Sequence, residues 1–162
     1  LRGFRGELMA RALYKKYHAR AAHPFYSQFN VGAPALAPFK VVWKRMSSDL
    51  SAAVVSDWEG PLGRKMVLPL ETTAFIGTAA EDEAHYLCAV MNSSPVRRFV
   101  KSFSSAGRGF GTPYVAARIR IPKYDPACGE HRSLAAMSLA MHGDSTAGCE
   151  ESIDRAVLGL VT

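Results

Sequence analysis

The chain has 162 residues, 48% of them apolar, which is enough to bury the core of one folded domain and is the composition of a globular protein. No apolar run reaches the roughly 20 residues that a bilayer crossing needs, and Arg2, Arg5 and Glu7 interrupt the first eight positions, so neither a membrane span nor a secretory leader is expected. Cys88, Cys128 and Cys149 are odd in number, far apart and outside any C-x-x-C pair, which excludes a disulfide framework or a zinc knuckle and fits a reducing cytoplasm.

The net charge of +6 is unevenly spread. Residues 1–45 hold nine Lys/Arg against one acid and residues 97–123 hold seven against none, whereas 46–96 and 124–162 are net acidic. Two basic segments brought to one face would attract a polyanion, because phosphate neutralisation with counterion release drives non-specific nucleic-acid affinity. A solvated surface of mixed charge is the plainer alternative.

In chain order, residues 6–21 predict an amphipathic helix with Leu8, Ala12 and Leu13 inward and Arg11, Lys15, Lys16 and Arg20 outward, ended by Pro24. The prolines and rings of 23–38 predict an ordered loop packed by Phe25, Tyr26 and Phe29. Four strands are expected at Phe39–Met46, Ala52–Asp57, Arg64–Leu70 and Thr73–Gly77, with Phe39, Val41 and Trp43 alternating against Lys40 and Lys44. Thr78 and Glu81 read as a capping box opening a helix with Ala84, Leu87, Cys88 and Met91 on its apolar side. Ser94 as cap and Pro95 at the first position open a second, basic helix carrying Arg97, Arg98 and Lys101. After a Gly/Ser loop, Tyr114–Ile121 alternates as a strand, and His131–Met141 and Ser152–Leu160 predict two closing helices. The expected fold is α+β, a small and mostly antiparallel sheet flanked by helices in a single domain, with 1–38 as N-terminal helix and loop, 39–126 as core and 127–162 as closing helices.

Gly107, Gly109 and Gly111 form G-x-G-x-G, but the motif follows a helix and leads to a strand, the reverse of a dinucleotide loop. A tight loop presenting Arg108 fits better, since Arg bridges phosphate or guanine edges bidentately. Arg97, Arg98 and Lys101 lie about one helical turn apart, and Arg118 and Arg120 share a strand face. The five histidines lack ligand spacing, and no serine sits in a nucleophile elbow.

The segments FKVVWKRM (39–46), RKMVLPLETTAFIGT (64–78), EDEAHYLCAVMNSSPVRRFV (81–100), GRGFGTPYV (107–115) and IRIPKYDP (119–126) follow one another in a recognisable order. Together they resemble the C-terminal target-recognition, or TaqI-like specificity, domain of N(6)-adenine DNA methyltransferases from restriction–modification systems. The resemblance implies a domain that clasps double-stranded DNA and reads bases while a separate methyltransferase domain, in cis or in trans, flips the adenine and uses S-adenosylmethionine. The chain itself has no [DNS]-P-P-[YFW] motif and no strand, glycine loop and helix unit for that cofactor, so no catalytic residue and no bound cofactor are expected within it. Candidate DNA contacts are Lys44, Arg45, Arg97, Arg98, Lys101, Arg108, Arg118 and Arg120, while Trp43, Tyr86, Leu87 and Asn92 read as structural. The competing expectation is a non-catalytic module or degenerate fragment that docks on a partner methylase or nuclease.

Overall fold

The computed structural model describes residues 1–27, 31–103, 118–143 and 148–161. Two compact units make up the chain, Leu1–Gly32 and Ala33–Thr162.

In the first unit the expected continuous helix is broken. A 3-10 turn at Arg2–Phe4 runs into α1, Arg5–Ala10, and after Arg11 leaves helical geometry at ψ 133° a π turn follows at Tyr14–His18. The cause is the Arg11 side chain, predicted to face water, which instead donates to the carbonyls of Leu8, Phe25 and Ser27 and ties the break to the returning loop. Tyr14, not Leu8 or Leu13, is the buried residue, its hydroxyl donating to the His23 carbonyl at 2.9 Å.

The second unit is α+β. Strands β1 (Phe39–Lys44), β2 (Ala52–Val55) and β5 (Thr73–Thr78) form an antiparallel sheet in the order β2-β1-β5, and β3 (Trp58–Gly60) pairs with β4 (Gly63–Lys65) in a separate two-stranded ribbon. Helices α2 (Glu81–Asn92), α3 (Ser94–Phe103), α4 (Gly129–Gly143) and α5 (Glu150–Val161) follow. Val41 pairs with Val54 and Ile76, and Trp43 with Ala52 and Ala74, so one sheet face is continuously apolar and packs on α2, which packs in turn on α4. Among the described residues no helix is long and apolar enough to cross a membrane.

Several local expectations change in the folded chain. Lys40, predicted to face water, is fully buried, its amine donating to the Ala37 carbonyl at 2.6 Å. The Ala33–Leu36 turn lies over that side of the sheet so closely that a Cβ on Gly77, which pairs with Lys40, would land on the Pro34 carbonyl oxygen. The strand expected at Arg64–Leu70 is only Gly63–Lys65, and its partner is the unpredicted Trp58–Gly60. The Thr78–Glu81 capping box does not form, because Ala80 takes the cap position and Thr78 Oγ1 donates to the Ala80 carbonyl. The strand expected at Tyr114–Ile121 lies outside the described residues up to 117, and 118–121 are not strand.

Segment 119–126 owes its path to rings rather than to a ladder. The Tyr86 hydroxyl donates to the Pro122 carbonyl at 3.0 Å, the Tyr86 ring packs on His131 and Tyr124, and His131 Nδ1 accepts the Asp125 N–H. Burial pushes the Tyr86 phenol up to about 12, which keeps it a hydrogen-bond donor at every working pH.

Candidate nucleic-acid interface

Helix α3 organises the basic residues. Its 3.6-residue period sends Arg97 and Lys101 to one flank, Arg98 and Ser102 outward, and Pro95 and Phe99 to the other flank, while Val96 and Val100 are buried. The two flanks meet different surroundings, so the described positive charges of 97–123 are not equivalent.

On the first flank stands Asp49, in the connection between β1 and β2. Its carboxylate accepts from the Arg97 guanidinium at both oxygens, from Lys101 Nζ at 3.2 Å and from its neighbour's amide, Leu50 N–H, at 2.8 Å. The hydrogen bond from Arg97 is the main cause that holds the Asp49 carboxyl down at about 2. Asp49 thereby tethers the β1–β2 connection to α3, and Arg97 and Lys101 are committed to that tether. Asn92 continues it, since its side-chain amide donates to the Ala52 carbonyl and accepts the Ala52 N–H, both at 2.8 Å, and so joins the end of α2 to the start of β2.

Lys44 and Arg45 lie four to five residues before Asp49 and are exposed. Lys44 ends β1 opposite Thr73, and Arg45 is held to the start of β5 by its amide on the Thr72 carbonyl and its guanidinium 3.4 Å from the Glu71 carbonyl.

On the second flank α3, segment 118–122 and α5 enclose a groove of about 410 Å³ with an apolar floor that includes Val90, Val96, Ile119 and Val157. Arg118 and Arg120 line it and are otherwise exposed, and Arg98 and Lys123 are exposed beside them. Arg108 and the glycines of the G-x-G-x-G loop lie outside the described residues.

Sequence reasoning missed Asp49 altogether, for the only local sign is a short polar turn, Ser47 to Asp49, that does not announce a partner on a helix almost fifty residues on. It also missed a polar knot behind the sheet edge. His142 accepts the outward Val54 N–H of β2 at Nε2, 3.0 Å away, and presents Nδ1 to the Ser138 carbonyl at 2.9 Å, which assigns the neutral ring with its proton on Nδ1. His85 lies edge-on to it at 4.9 Å and bonds Ser138 Oγ. Burial, then the nearby His142, lowers the His85 pKa, and burial pushes the Cys88 thiol up to about 11, so the cysteine stays protonated and unreactive. No known family model matches this chain, and no curated protein matches it.

Proposed function

We propose that this chain is a duplex-DNA-binding specificity module of the kind that N(6)-adenine methyltransferases carry, acting beside a catalytic domain that supplies S-adenosylmethionine chemistry. The observation that carries the reading is the acid-free run 97–123, of which Arg98, Arg118, Arg120 and Lys123 are exposed around the outer side of α3 and the segment packed on it. Exposed cations on and beside a helix can contact backbone phosphates, and exposed arginines can also reach guanine edges. Lys44 and Arg45 are further exposed cations of the same unit. Arg97 and Lys101 serve this interface indirectly, by fixing the β1–β2 connection through Asp49.

The test is a fluorescence-anisotropy titration of the purified chain with mixed-sequence duplex DNA over a range of salt. Affinity is expected to fall steeply with salt, and Arg98→Ala with Arg120→Ala should weaken binding about tenfold and flatten the log–log salt slope by about 0.9 per lost phosphate contact. Absence of binding at low salt overturns the reading.

One observation favours a second reading, the docking of a partner methylase or nuclease. The groove beside α3 is floored by aliphatic side chains and open, as a partner helix would require. Loss of partner capture on Val96→Asp or Ile121→Asp, with DNA affinity intact, would favour it.

A further inference from the structure

The β3–β4 ribbon stands apart from the sheet. All of its residues are exposed save a half-buried Gly60, and among the described residues no helix packs closely on it. Two strands alone are marginal in water, so local devices hold this one. Gly63 takes the left-handed region at φ 78° and closes the Pro61-Leu62 turn, and the Trp58 ring lies so close over Gly60 that any Cβ there would strike it. Arg64 Nε bonds Asp57 Oδ2 at 2.9 Å.

The register sorts the side chains. Asp57, Glu59 and Arg64 share one face, so both acids of the ribbon lie with Arg64. Trp58, Gly60, Gly63 and Lys65 share the other, which holds a cation and an aromatic ring and no acid. At the turn Leu62 is 82% exposed, more than any other large apolar residue described. With about 3.3 Å per residue, Leu62 projects roughly 10 Å beyond the Trp58–Lys65 rung.

We propose that this ribbon is a major-groove-entering arm for duplex DNA, with Leu62 against the base edges and Lys65 beside the backbone phosphates; the inference rests on the DNA-binding reading above. A two-stranded ribbon fits the major groove, about 12 Å wide, and the two glycines behind the turn strip one face to backbone, which lets the tip approach the bases. An apolar side chain at the tip can lie against thymine methyl groups in that groove, and Lys65 on the acid-free face complements the phosphates.

The chain has two tryptophans, Trp58 at 55% exposure and Trp43 at 4%, so acrylamide quenching reports the arm almost alone. Saturating mixed-sequence duplex should reduce the quenching slope at least twofold, an effect absent in Trp58→Phe. Leu62→Ala, at a tip 82% exposed and so with little effect on the melting temperature, should weaken duplex affinity about three- to tenfold. If the chain binds DNA with the expected salt dependence while Trp58 stays quenchable and Leu62→Ala binds normally, the arm is overturned and the α3 interface stands. If the chain binds no DNA, both fall. Protection of Trp58 by anionic lipid vesicles and not by duplex would overturn the arm in favour of a membrane surface.

Discussion

Asp49 is one carboxylate facing two cations, and its consequences can be measured directly. Its side chain is 27% exposed, so the ion pairs with Arg97 and Lys101 are partly screened and their contribution is modest. Asp49→Asn should cost about 1 kcal/mol in urea unfolding and release both cations to solvent. The sign with pH follows from the depressed pKa. Above the unfolded value of 3.8 the full contribution is present, and it is lost as pH falls from there toward about 2, where the folded carboxyl also protonates. Wild type should therefore lose more stability than Asp49→Asn over that window. His85 acts at milder acidity. Burial lowers its pKa below 6.5, so as pH drops through 6.5 the unfolded ring takes up a proton that the folded ring refuses, and stability declines. His85→Gln, which can keep a hydrogen bond to Ser138, should flatten thermal stability between pH 7 and 5, as read by melting scans.

At the scale of elements, the joints are polar and the layers apolar. The Asn92 amide satisfies both backbone groups of Ala52, so Asn92→Ala strands a buried donor and acceptor and should cost about 2–3 kcal/mol, with the unfolding slope in urea unchanged. Helix α2 was plain in the sequence because its apolar repeat is dictated by the core it covers, and Ala84, Cys88 and Met91 are all buried. Its start was misread because a capping box needs the Thr78 hydroxyl aimed at the helix, whereas β5 runs through Thr78 and aligns that residue with Phe39 instead. The first helix was misread for a similar reason, since periodicity cannot show that Arg11 will abandon solvent for three carbonyls. The ribbon was half legible, because a strand was expected from Arg64 but Trp58–Gly60 is too short to show a strand pattern.

Among the described residues, the fold gives the cations of 97–123 different surroundings. Arg97 and Lys101 are paired with Asp49, while Arg98 and Arg120 are exposed, so a mutational scan should separate them. Arg97→Ala is expected to lower the melting temperature by about 2–4 °C and to affect DNA binding through the fold, whereas Arg98→Ala is expected to leave melting unchanged and reduce affinity. The α+β class, the strands at Phe39, Ala52 and Thr73, the closing pair α4 and α5 and the positions of the charges were determined by the sequence itself, because each follows from local periodicity and composition. Which cations are spent on partners within the chain, why Lys40 is buried, how His85 meets His142 and where the apolar groove opens were decided only by the tertiary structure. Each of these depends on residues far apart in the chain, whose pairing is set by packing and strand register and leaves no mark in either local segment.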